Sequence, residues 1–346
     1  MSESSKDAFF VRQVERWYQN HQRPLPWRKK PTPYTVWLAE IIFQQTRIEQ
    51  GMSYYLRFIK KYPDLLSLAK AEEDEILRMW QGLGYYSRAL NLHKTAKILV
   101  ERGGDFPKTV HELIGLPGIG PYTAGAIASI AFGQRVPLVD GNVTRLFARF
   151  FGIESPVNHL NTSKNIYSKA KELVKLSDTP SNYNQGLMDM GSLLCKPAKP
   201  SCYECPLSQE CSAHHYNKVE ILPLKRPKPL KSNRYLFYEF IEKDGKIAVH
   251  KRDNRDIWKN LYQLPLLLDT TSTDEKTEFE LRHQNLEKMT TIRHILTHQI
   301  LHLTIYRAEK FSDQNKKMEI RYVVPSLLGE LAFPVPFQKF FAKILT

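Results

Sequence analysis

Two carboxylates sit where a protein could use them for chemistry. Glu40 lies in the run TPYTVWLAEIIFQQT, four residues after Val36 and three before Phe43. Thr32 and Pro33 read as the cap and first turn of a helix. On that helix Glu40 shares a largely apolar stripe. A carboxyl so placed loses water and keeps its proton to higher pH, which suits a general acid. Asp140 closes VPLV and precedes GNVTRLFARF, the place of a helix N-cap, where bonds from backbone N–H groups keep a carboxylate ionised. One protonated and one ionised carboxyl are what breaking a glycosidic bond through an oxocarbenium-like state requires. Plainer readings stand beside these: a solvated glutamate on an amphipathic helix, and an ordinary cap.

A second motif is LPGIGPYTA at Leu116–Ala124, ahead of the helical run GAIASIAF. Glycines at 118 and 120 admit positive φ, so a tight turn there presents successive N–H groups at a helix start, a site for phosphate. With VHELIGL before it, the stretch reads as a helix-hairpin-helix in which Leu116, Gly118 and Gly120 meet DNA. An ordinary turn between helices is the alternative. All four cysteines fall between Cys195 and Cys211, spaced Cys195-x6-Cys202-x2-Cys205-x5-Cys211. Cysteines gathered in this way point to a metal centre, whereas disulfides spread along a chain. Zinc and a [4Fe–4S] cluster both use four thiolates, and spacing leaves both open. The centre's task would be to fold its loop, which Lys196 and Lys199 make basic.

The elements that must carry these residues change character along the chain. At 346 residues two domains are expected. Residues 7–194 read as helical, with apolar residues three and four apart in FFVRQVERWY, LNLHKTAKILV, VTRLFARFF and YNQGLMDMGSLL. A basic stretch, ILPLKRPKPLKSNR, reads as a linker. YLFYEFIE, KIAVHKR, HLTIYRAE and IRYVVP then read as strands, with Asp244-Gly245 as a turn, and PFQKFFAKIL as a closing helix. A helical domain thus precedes a smaller α+β domain. Fifty Lys and Arg against 36 Asp and Glu give a net charge of +14, which suits a polyanionic partner. No apolar run is long enough to span a bilayer, and the N-terminus MSESSKDAFF has no secretory pattern.

The hairpin, the VDGN that follows it and the four-cysteine spacing, in that order, resemble the endonuclease III superfamily of DNA glycosylases over residues 7–215. RPLPWR (23–28), VWLAEIIFQQT (36–46) and GLGYYSR (82–88) look like its A/G-specific adenine glycosylase (MutY) subfamily, and the linker and C-terminal domain agree. The resemblance implies a helical helix-hairpin-helix glycosylase domain over 1–215 (hairpin near 110–132, iron–sulfur loop 195–211). A linker over 216–231 and a Nudix-like α+β domain over 232–346 would follow. It implies a [4Fe–4S] cluster on Cys195, Cys202, Cys205 and Cys211. The substrate would be double-stranded DNA with adenine opposite 8-oxoguanine or guanine, met by a monomer in the cytoplasm at nucleoid DNA, with no membrane partner.

The same resemblance supplies roles. Glu40 would protonate adenine N7 and then help activate water. Asp140 would stabilise the sugar cation, with Tyr122 and Asn142 assisting. Arg23, Trp27, Arg28 and Gln185 would surround the flipped adenine. Gln45 would wedge into the stack, while Leu83 and Tyr85 would probe the opposing base. In the strand-cleaving relatives the position of Tyr122 is a lysine that forms a Schiff base; tyrosine has no such amine, so a monofunctional enzyme is expected. The segment RHILTHQILHL would carry the 8-oxoguanine loop, with Thr297 and His298 matching a Ser-His pair and Leu296 standing where an aromatic is usual. Residues 269–288 lack a Nudix box, which argues against nucleotide hydrolysis. Two rivals are an endonuclease III-like enzyme for oxidised pyrimidines, disfavoured by Tyr122 and the extra domain, and a non-enzymatic DNA-binding protein.

Overall fold

The computed structural model describes residues 3–227, 229–252, 256–312, 315 and 318–345; Lys228, in the expected linker, lies outside them. The chain forms two compact units. The first comprises residues 1–70 and 94–227, and the second residues 71–93 and 228–346.

The first unit is helical. Helix Glu3–His21 packs along Pro180–Leu193, and Gly186 makes the approach possible. A Cβ there would lie 2.9 Å from Val14 Cγ1 and 3.0 Å from Tyr18 Cβ. Around this pair Phe10, Phe147, Phe150, Leu173 and Leu187 form a buried core, with Phe10 tilted against Phe150 at 4.6 Å between ring centres. Helix Pro33–Phe43 begins as its sequence suggests. Thr32 caps it in a reciprocal box with Thr35, and Pro33 occupies the first turn. Seven of its eleven residues are buried, so this helix runs through the interior. Helices Val110–Ile114 and Pro121–Ala126 enclose the glycine hairpin, where Gly118 has φ +74°. The stretch expected as linker begins against this unit: Leu222 is buried, and its carbonyl accepts from Arg149 Nε at 2.9 Å.

The second unit holds two small sheets. One has the order β5–β1–β7–β6, formed by Leu266–Thr270, Ser232–Phe240, Gln299–Arg307 and Glu287–Ile295. Its central pair, β1 and β7, is parallel with Leu236 opposite Leu303; the others are antiparallel. The other sheet joins β2 (Glu242–Lys243), β3 (Lys246–Lys251) and β4 (Tyr262–Gln263), with β8 (Ile320–Val323) pairing β3. Asp244 and Gly245 turn the β2–β3 hairpin with φ +52° and +69°. Leu236, Tyr238, Leu303, Ile305 and Phe337 from the closing helix Val335–Ile344 form the core between strands and helix. Residues 71–93 join this unit through polar bonds. Lys251 Nζ reaches Asp74 at 2.5 Å, Asn260 Nδ2 reaches Glu73 at 2.7 Å, and the Tyr86 hydroxyl donates to the Phe333 carbonyl at 3.5 Å.

Candidate active site

A cavity of about 690 Å³ opens in the first unit, and the residues singled out for chemistry converge on it. Glu40 comes from helix Pro33–Phe43, Tyr122 from the start of Pro121–Ala126, and Asp140 and Asn142 from the start of Gly141–Phe150. Arg23, Trp27, Arg28 and Gln185 line the same space, and so does Gln45, at a left-handed φ of +56° past the end of the Glu40 helix.

Burial in that wall, and then the charge of Asp140, push the Glu40 carboxyl up from its ordinary 4.5 to about 7, with Arg28 opposing. Asp140 is the cap of its helix. Its Oδ1 accepts from Val143 N–H at 2.7 Å and its Oδ2 from Asn142 Nδ2 at 2.8 Å, so both oxygens act as acceptors. Asn142 is oriented in turn by Arg145, whose Nη2 donates to Asn142 Oδ1 at 2.9 Å and to the Gly191 carbonyl at 2.6 Å. The Tyr122 hydroxyl donates to Met188 Sδ at 3.1 Å, and burial, with Glu40 and Asp140 adding to it, raises its phenol well above the ordinary value. Near neutrality the cavity therefore holds, in Glu40, a group poised to donate a proton, beside a carboxyl whose two oxygens both accept hydrogen bonds.

Trp27 is buried between Phe43 and Tyr55, its ring centre 4.8 and 5.0 Å from theirs, so it forms a rigid wall. Gln185 donates to Ser181 Oγ at 3.1 Å, while among the described residues its buried Oε1 has no partner. Sequence reasoning missed Asp189. This fully buried carboxylate accepts from Arg23 Nε at 2.7 Å and from Arg28 Nη1 at 2.6 Å, and so fixes both arginines against the cavity. The one signal was an acid inside the apolar stretch GLMDMG, four residues after Gln185.

The hairpin residues stand apart from the cavity lining. Leu116 is buried and its carbonyl accepts from Ile119 N–H at 3.2 Å, Gly118 makes the turn, and Gly120 precedes the Tyr122 helix. Leu83 and Tyr85 belong to the second unit. Leu83 is buried, whereas Tyr85 is 48% exposed with φ +50°. The Tyr85 hydroxyl meets the Thr297 hydroxyl at 2.5 Å. Thr297 and His298 are exposed at the tip between β6 and β7, and Leu296 turns its side chain against the core of that unit.

The four cysteines are free thiols lining one small cavity beside Leu146, Arg149 and Phe150. Arg149, 2% exposed, donates to Cys195 Sγ at 3.4 Å and to the carbonyls of Lys196 and Pro197. The four thiols thus share one cavity with Ser201, Ser208 and His214 beside the buried Arg149, and four thiolates are a donor set that fits an iron–sulfur group. Among the described residues no group of three or more His, Cys, Asp or Glu is arranged to hold a metal ion as it stands.

Comparison with known proteins then decides the family. Residues 38–176 match the HhH-GPD superfamily of base excision DNA repair proteins, and residues 237–343 match the NUDIX domain. An adenine DNA glycosylase of Buchnera aphidicola is 33% identical, over 95% of this chain and 96% of its own. The chain belongs to the adenine DNA glycosylase family. It is therefore a DNA glycosylase, a hydrolase of N-glycosyl bonds. The human adenine DNA glycosylase is 40% identical over 60% of this chain and 39% of its own. A thermostable thymine-DNA glycosylase is similar in structure, with a TM-score of 0.57 and 29% identity over 62% of this chain and all of that one. The cavity's lining includes the aromatic side chains of Trp27, Phe43 and Tyr122. Among the described residues no helix is long and apolar enough to cross a membrane.

Proposed function

We propose that the enzyme excises adenine opposite 8-oxoguanine or guanine in double-stranded DNA and leaves the backbone intact. The observation that carries this reading is the pairing, in one cavity, of Glu40 shifted to about 7 with Asp140 accepting at both oxygens, beside a tyrosine in place of an amine. Glu40 gives its proton to adenine N7, making the base a leaving group, and then assists water. Asp140 faces the positive charge that develops at the sugar, with Asn142 and Tyr122 supporting it. Arg23, Arg28 and Trp27 bound the flipped base, and the free Oε1 of Gln185 is an acceptor for its amino group. The Gly118 hairpin holds a phosphate, Gln45 wedges into the stack, and Leu83 and Tyr85, with Leu296, Thr297 and His298, meet the opposing base. Cys195, Cys202, Cys205 and Cys211 would hold a [4Fe–4S] cluster that orders their loop. The protein acts as a monomer on this DNA, its second unit serving lesion recognition rather than nucleotide hydrolysis.

The test uses duplexes with one labelled adenine opposite 8-oxoguanine, guanine or thymine, each reaction divided between hot alkali and none. Strand breaks after alkali alone, strongest opposite 8-oxoguanine, are expected. Breaks without alkali would overturn the monofunctional reading, and equal breaks at all three pairs would overturn the opposing-base preference.

A further inference from the structure

The tip between β6 and β7 is held by more than its own turn. Leu296 N–H donates to the Gln299 carbonyl at 2.8 Å, which closes the hairpin. Two further bonds come from consecutive residues at the start of β1. Ser232 N–H donates to the His298 carbonyl at 3.2 Å, and Lys231 Nζ donates to the Leu296 carbonyl at 2.8 Å. Sheet register explains why they are there: β1 runs parallel to β7 with Ser232 opposite Gln299, so the residue before it falls beside the tip. An ammonium-to-carbonyl bond is charge-assisted and stronger than the neutral bonds around it. Leu296 is thereby held twice, by its side chain in the core and by its carbonyl on Lys231. Thr297 and His298, both exposed, follow it in the bend between the two strands.

We propose that Lys231 is a positioning residue for reading the opposing base: by holding the Leu296 carbonyl it sets the direction in which Thr297 and His298 face the DNA. This inference rests on the reading of that tip as the 8-oxoguanine contact. Lys231 is at the surface, so a competing role as a phosphate contact makes a different forecast. A phosphate contact contributes equally to every duplex and steepens salt dependence.

The full-length protein and its K231M, K231R and H298A variants are compared in single-turnover excision of adenine opposite 8-oxoguanine and opposite guanine. Backbone amide exchange is followed at residues 296–299, and binding to an undamaged duplex is titrated against salt. K231M is expected to lower the preference for 8-oxoguanine about three- to tenfold, roughly the worth of one charge-assisted bond. It should also speed exchange at the tip and leave undamaged binding and its salt slope as they were, while K231R retains the preference. Weaker binding to every duplex with a shallower salt slope and an unchanged preference overturns the proposal in favour of phosphate contact. A lowered preference without faster exchange also overturns it, because Lys231 then acts otherwise than through the tip. Preference unchanged in K231M but lowered in H298A overturns the positioning role while leaving the tip as the reader. Preference unchanged in H298A overturns the reading itself, and the proposal with it.

Discussion

At the residue scale the proposed chemistry depends on Glu40 holding a proton that an exposed glutamate would release. Burial, joined by the charge of Asp140, raises its folded-state value to about 7 against an ordinary 4.5. A raised carboxyl stabilises the fold fully below the unfolded value and loses that contribution as pH climbs through the folded one. Glutamine does not titrate and keeps a similar shape. E40Q should therefore gain about 2–3 kcal/mol on the parent between pH 5 and pH 8, read from paired urea denaturations. Its excision rate should fall by on the order of a hundredfold or more, the usual worth of a positioned acid. In the parent, single-turnover excision should decline as pH rises through about 7. A pH-independent stability difference would show that Glu40 is not held protonated, whatever the variant's activity.

At the scale of elements, Asp140 is aimed by the contact between helices Gly141–Phe150 and Pro180–Leu193. Gly191 lies at that contact: a Cβ there would sit 2.7 Å from Asn142 Cβ and 3.0 Å from the Asn142 carbonyl oxygen, so something must move. Asn142 is bonded to Asp140 and to Arg145, and Arg145 also donates to the Cys195 carbonyl at 2.7 Å. G191A should cost about 1–3 kcal/mol from overpacking and slow excision at saturating enzyme, with Arg23 and Arg28 untouched. If its single-turnover rate matches the parent's, Asn142 does not transmit position to Asp140. Much of this arrangement was legible in the sequence, because caps and periodicity are local. Thr32, Pro33 and Asp140 announced two helix starts, and aromatic and β-branched runs with turn residues between them marked β1, β3, β7 and β8. Helix Thr273–Arg282 was not legible, since it buries none of its residues and so shows no clear stripe. Strand β6 was hidden likewise, its run EKMTTIRHI being largely polar and none of its residues fully buried. Asp189 escaped because its arginine partners lie more than 160 residues away, beyond the reach of any local pattern.

At the scale of the whole molecule, the segment that carries Leu83 and Tyr85 is drawn from the helical half of the sequence yet is built into the second unit. Its own bonds shape the turn: Trp80 Nε1 and Arg88 Nη2 both donate to the Gly84 carbonyl, at 3.0 and 3.2 Å. The bonds from Lys251 to Asp74, from Asn260 to Glu73, and between Tyr85 and Thr297 come from residues beyond 228. A chain ending at Pro227 therefore loses more than the tip between β6 and β7, since residues 71–93 lose the partners that order them. Such a protein should be cut by chymotrypsin at Trp80, Tyr85 or Tyr86 at least tenfold faster than the full chain, because cleavage tracks local opening and each lost bond adds about 1 kcal/mol to it. Its preference for 8-oxoguanine should fall together with that protection. Cleavage as slow as in the full chain would mean that Trp80 and Arg88 alone keep the turn ordered. A lost preference would then belong to the tip by itself.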